Sequence, residues 1–218
     1  INFTLIDQFP IGEDIKVMGC RRDGEITLTV SIPFIASHLK DADEYLEAKG
    51  ALQAAIQEFS EKLDDRPVKV DVNTADKAKR GDFYLTLTGT SAECGDDGAV
   101  GRGNRVNGMI APFRSASFEA ACGKNPISHV GKVYNVLAFL AARDIVEKVP
   151  NAKEAVVYIL SQIGHPLDQP LVASALVRTV DGQLTAAIQN DVRDVLDERL
   201  TNVADTGAMI RRGEIPLF

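Results

Sequence analysis

Residues 95–132 read GDDGAVGRGNRVNGMIAPFRSASFEAACGKNPISHVGK, and this stretch constrains how the rest of the chain can fold. Six glycines lie between Gly95 and Gly123, together with two adjacent aspartates and three arginines. Glycine inside a helix or strand costs about 0.5–1 kcal/mol relative to alanine. Most of the segment is therefore loop, and regular structure has to assemble on either side of it. Glycines also let a backbone approach a ligand closely, arginine and lysine neutralise phosphate, and carboxylates hold a metal or an ammonium group. The mixture points to a site for an anionic, metal-bound polyphosphate.

On the N-terminal side, residues 25–32 (EITLTVSI) alternate apolar and polar side chains as a half-buried strand does, after a turn at Arg22, Asp23 and Gly24. Asp41, Asp43 and Glu44 crowd a helix start, where negative charge suits the dipole. Leu52, Ile56, Phe59 and Leu63 then form the apolar stripe expected of that helix. Residues 68–72 (VKVDV) and 83–88 (FYLTLT) alternate as two further strands. Beyond the loop, a helix is expected from about Ser128 to Lys148, with Val130, Val133, Leu137, Leu140 and Ile145 on its buried side and Pro150 as its stop. Strands follow at 155–163 and 171–179, the first closed by Gly164, His165 and Pro166. A last helix spans 184–200, burying Leu184, Ile188, Val195, Leu196 and Leu200. This order predicts an α+β fold: repeated modules of mainly antiparallel sheet with helices on one face. Residues 1–94 form the first module, 95–127 the glycine-rich active-site loop and 128–218 the second module.

A net charge of −7, with no basic tail, argues against general nucleic-acid binding. The loop is different. Arg102, Arg105, Arg114, Lys124 and Lys132 outnumber Asp96, Asp97 and Glu119, a positive island that suits a small anion better than a polymer. Three cysteines (Cys20, Cys94, Cys122) without metal-binding spacing indicate reduced thiols and a cytoplasmic setting. His38, His129 and His165 are too scattered for a zinc site. No apolar run reaches the roughly 20 residues of a membrane span. The start at Ile1, without methionine, is expected of part of a longer protein.

Within the loop, Arg102 and Arg105 can make bidentate bonds to phosphate, and Lys124 and Lys132 can add point charges. Ser128 stands where a helix begins, so the helix's free N–H groups could face the same anion. Asp96 and Asp97 suit a magnesium ion or a substrate ammonium, and His129 a hydrogen bond or proton. Each residue has a plainer use as well. Asp-Asp-Gly is ordinary turn composition, and either arginine can pair with a surface carboxylate. Ser128 can be a simple N-cap, His129 can be structural, and Cys94 and Cys122 can be small packed side chains. Neither a dinucleotide glycine fingerprint nor a P-loop matches.

GTSAECGDDGAVGRGNRVNG (89–108) and EAACGKNPISHVGKVYN (119–135) closely resemble the archaeal-type methionine adenosyltransferases, or S-adenosylmethionine synthetases. EDIKVMG (13–19), VNTAD (72–76) and ILSQIGHPLDQPLVAS (159–174) are similar to the same family, so the likeness runs through the whole chain. It corresponds to the C-terminal half of such an enzyme. The half with the family's catalytic Gly-His-Pro-Asp histidine and first metal carboxylate is not here, and His165-Pro166-Leu167 is not that motif.

The resemblance implies that methionine sulfur attacks C5′ of ATP, expelling triphosphate that is then cleaved to pyrophosphate and phosphate. It places Asp96 on the aspartate that holds methionine, Arg102 on a triphosphate-binding arginine and Lys124 on a lysine of the same clamp. Gly103 and Ser128 stand where the bacterial and eukaryotic branch has lysines, and Val130 where it has a metal-binding aspartate. Arg105, His129 and Lys132 are expected to supply the missing charge, with Asn104 beside the substrate and Asp97 on metal. A homodimer with shared active sites is implied, as are Mg²⁺ and, from the other branch, K⁺. The 218 residues alone are expected to be inactive. The competing expectations are a non-catalytic nucleotide- or polyphosphate-binding or assembly module, and a different phosphoryl-transfer enzyme with its base among Asp96, Asp97 and His129.

Overall fold

The computed structural model describes residues 5–90, 105–106, 108–115, 117, 119–215 and 217. Cys94, Asp96, Asp97, Arg102 and Asn104 lie outside these residues. The architecture is α+β, in two compact units, 1–94 and 95–218.

In the first unit, β1 (Lys16–Arg22) and β2 (Glu25–Ser31) form an antiparallel hairpin, and β2 pairs in parallel with β3 (Val68–Val72). The hairpin turn is Asp23-Gly24, both at positive φ (51° and 91°), the two-residue geometry whose twist matches the strands it joins. Helix α1 (Ala42–Glu61) makes the crossover from β2 to β3. Asp41 caps it by accepting from the Glu44 N–H at 2.9 Å, as the acidic start predicts. Its buried face differs from the expected stripe. Tyr45, Leu52, Ile56 and Ser60 are buried, whereas Phe59 and Leu63 are exposed. A helical face runs through positions 52, 56 and 60, and Leu63 lies past the helix end, so apolar spacing alone misassigned the last turn. The strand expected at 83–88 is reduced to Leu85–Thr86, paired in parallel with Phe34–Ile35.

A polar network closes this unit. Asn73, at φ 44°, accepts from the Ile32 N–H and donates to the Ile32 carbonyl, both at 2.8 Å. The Tyr45 hydroxyl and the Lys49 ammonium each reach Asp76 Oδ2 at 2.7 Å. Burial and the adjacent Asp76 carboxylate push the Tyr45 hydroxyl well above its usual range. Gly89, the entry to the glycine-rich stretch, lies so close to Gly12 that a Cβ on Gly12 would clash with the Gly89 carbonyl.

In the second unit, β4 (Ala152–Leu160) and β5 (Val172–Thr179) form an antiparallel hairpin with helices on one face. Helices α2 (Val130–Lys148) and α3 (Ala186–Thr201) bury Ala141, Ile145, Ile188, Val192, Val195 and Leu196 there, and Ala155, Val157, Ala175 and Val177 pack against them. Leu184, expected in this core, precedes the helix and is exposed. A further helix, α4 (Val203–Arg211), was not anticipated. With Ile215 and Leu217 it packs against Val106, Ala121, Val136 and Leu140.

Candidate active site

The described part of the site is built at the N-terminal end of α2. The cap is His129 rather than Ser128: its Nδ1 accepts from the Gly131 N–H at 3.1 Å. Ser128 sits exposed one residue upstream, in a turn. An imidazole accepting through Nδ1 carries its remaining proton on Nε2, which leaves that nitrogen an N–H donor. The N–H groups of Lys132 and Val133 are engaged with the His129 carbonyl. This helix end therefore offers cationic side chains to an anion more than free backbone donors.

Lys132 is 6 % exposed and lies among the buried residues of α2. Among the described residues no carboxylate pairs with it. Burial holds its ammonium below the usual lysine range, and the nearby Lys124 charge adds to the effect while Cys122 opposes it. Lys124 occupies the turn just before the helix. Its stem lies over Gly131, where a Cβ would meet Cδ and Cε of Lys124 at 3.1 Å. Glycine at 131 thus makes the seat for this lysine. The Lys124 ammonium stands 3.4 Å from Glu119 Oε2, a carboxylate 65 % exposed. A pair of that kind is worth no more than about 1 kcal/mol, and a multiply charged ligand would displace it.

Arg105 is placed differently. Its guanidinium donates to the Ser115 carbonyl and, at 2.9 Å, to that of Arg114. It braces the loop backbone, while Arg114 pairs with Glu154 on β4 at 2.7 Å and Ser115 Oγ meets the Tyr158 hydroxyl at 2.8 Å. The structure accordingly brings Lys124, His129 and Lys132 together at one helix end and commits Arg105 to the loop. Among the described residues no three His, Cys, Asp or Glu side chains group as a metal cage. No described helix is long and apolar enough to cross a membrane.

Residues 5–214 match the family model described as S-adenosylmethionine synthetase (AdoMet synthetase). The chain belongs to the S-adenosylmethionine synthetase family. It is 50 % identical to the S-adenosylmethionine synthase of Pyrococcus furiosus over 208 residues, which are 95 % of this chain and 52 % of that protein. The corresponding protein of Methanosarcina barkeri is 47 % identical over the same share of both chains. The chain thus spans about half the length of the synthetases it matches.

Against that family background, the features the sequence did not disclose are those that position Lys124: Glu119 as its partner, Gly131 as its seat, and Cys122, whose thiol donates to the Leu217 carbonyl. Gly131 carried a readable signal, a glycine one residue into a helix, where its low propensity calls for a packing reason. The Cys122 and Glu119 contacts had none.

Proposed function

We propose that this chain carries the triphosphate-holding part of an S-adenosylmethionine synthetase, in which Lys124 and Lys132 take the triphosphate of ATP during transfer of the adenosyl group to methionine. The observation that carries the reading is Lys132. It is 6 % exposed, burial lowers its ammonium's pKa, and among the described residues no carboxylate pairs with it; a polyphosphate beside it would favour the charged form. Family membership supports the same assignment, because the motif holding these lysines lies within the matched residues.

In the reaction, methionine sulfur forms a bond to C5′ of ATP as the C5′–O bond breaks, giving a sulfonium and a triphosphate that carries the electron pair away. Stabilising that developing charge is the task of fixed cations. We assign it to Lys124 and Lys132 together with Arg102, and the Nε2–H of His129 to a hydrogen bond on the same group. Gly131 seats the stem of Lys124, and exchanging its weak pair with the exposed Glu119 for the ligand costs little. Cleavage of the triphosphate to pyrophosphate and phosphate requires the same clamp.

Asp96 is assigned to the methionine ammonium, Asn104 and Ser128 to the substrate rim, and Asp97 to a metal. Mg²⁺ fits as an ion carried on the polyphosphate, since the described cations complement phosphate oxygens and Mg²⁺ is usually held by one or two carboxylates plus substrate phosphate. When bound it would neutralise part of the triphosphate charge. K⁺ and a homodimer with shared active sites belong to the same proposal.

Calorimetric titration of the chain with tripolyphosphate and Mg²⁺ tests it. The expected result is measurable binding that weakens about tenfold or more in Lys124→Ala, Lys132→Met and Arg102→Ala, each removing a charge-assisted contact. Equal affinity in all three variants would return the segment to a structural or assembly role.

A further inference from the structure

We propose that the C-terminal helix α4 and the residues after it set the position of Lys124, with Gly207 as the positioning residue. This rests on the reading of Lys124 as part of the polyphosphate site. The turn that carries Lys124 runs from Cys122 to Pro126, and the C-terminal segment holds it at both ends. At one end the Cys122 thiol donates to the Leu217 carbonyl. At the other, the backbone of Gly207, in the middle of α4, lies against Pro126: a Cβ on Gly207 would fall 2.7 Å from the Pro126 carbonyl oxygen, 3.7 Å from its carbon and 4.0 Å from Ile127 Cα. Hydrogen bonds also tie the turn to the residues that follow it. The Ile127 N–H donates to Asn125 Oδ1 at 2.8 Å, and the His129 N–H reaches the Asn125 carbonyl at 3.3 Å.

Gly207 is otherwise a costly choice. Glycine inside a helix loses about 0.8–1 kcal/mol relative to alanine, and Gly207 is buried, so solvent exposure does not account for it. The close approach to Pro126 does. Any side chain there has to push a carbonyl belonging to the same short turn as Lys124, two residues away. Beneath the contact, Met209, Ile210, Ile215 and Leu217 pack on Val106, Ala121, Val136 and Leu140, so α4 cannot retreat without opening that core. The strain of a larger residue is thereby directed into the turn. A misplacement of about 1 Å in a positioned group can cost on the order of 100-fold in rate, and a shifted Lys124 ammonium loses charge-assisted contact with its ligand in the same way.

The test is a double-mutant cycle read by titration with Mg²⁺ and tripolyphosphate, using the whole 218-residue chain. Gly207→Ala is expected to weaken binding about tenfold, and Gly207→Ala/Lys124→Ala to bind no more weakly than Lys124→Ala alone, because the glycine acts through the lysine. Wild-type affinity in Gly207→Ala, or penalties that multiply in the double variant, would overturn the proposal. If Lys124→Ala itself binds like wild type, the assignment of Lys124 to the polyphosphate site is lost and this inference falls with it, a result distinct from the previous two. Cys122→Ala adds no bulk and removes the second tether. It is expected to weaken binding about threefold with the same lack of additivity, and an unchanged affinity there overturns the proposal even should Gly207→Ala fail to fold.

Discussion

Taking an ammonium out of water disfavours its charged form, and Lys132, at 6 % exposure without a described carboxylate partner, bears that cost in the free chain. Its folded pKa lies below the unfolded value of about 10.4. Between the two the unfolded chain binds more protons, so stability rises with pH through that alkaline window. A bound polyphosphate favours the charged form, and affinity therefore falls as pH rises over the same range. Lys132→Met is expected to raise the thermal midpoint by about 2–4 °C for each kcal/mol of burial cost relieved, while weakening tripolyphosphate binding. The alkaline decline in affinity should begin at lower pH in the wild type than in this variant. Titrations at several pH values, beside melting curves, check both statements. A destabilised Lys132→Met would mean that an unseen partner, not a ligand, satisfies this lysine.

At the scale of elements, Asp144 joins α2 to α3. It is 2 % exposed and accepts from Arg199 Nε at 2.8 Å and from Lys148 Nζ at 3.1 Å, with Arg199 Nη2 closer still. Burial pushes its carboxyl up, but the hydrogen bonds from Lys148 and Arg199 outweigh this and leave it below the ordinary range. The sign follows from the depressed value: the stabilisation is complete above an unfolded pKa of about 3.9 and is lost as pH falls through the folded one. Asp144→Asn is expected to cost about 2–4 kcal/mol at neutral pH, since the partly buried Arg199 is left without its counter-charge. Urea unfolding at neutral and acid pH measures this, and the difference between wild type and variant should shrink in acid. The Asn73 network is the corresponding device in the first unit, where one side chain in a left-handed conformation satisfies the Ile32 backbone at both donor and acceptor.

For the molecule as a whole, each unit has its own hydrophobic core, and the chain covers about 52 % of the length of the synthetases it resembles. We expect the isolated 218-residue chain, given ATP, methionine and Mg²⁺, to bind polyphosphate and to form no S-adenosylmethionine. Chromatographic assay of the product decides this, and turnover by the purified chain would show that the residues present are sufficient for the reaction.

Periodicity and turn chemistry by themselves determined the fold class, the turn at Asp23-Gly24, the acidic start of α1 and the course of α2, because each depends on neighbours in sequence. The lysines of the candidate site were legible for the same reason: charge concentrated beside glycine is visible without coordinates. Tertiary structure alone decided which residue caps α2, that Lys132 is buried while Arg105 braces the loop, and that Phe59 and Leu63 face outward. It also decided that Gly207 meets Pro126 from 81 positions away along the chain. Such outcomes depend on which surfaces meet across long sequence separations, and local pattern carries no information about which partner will be there.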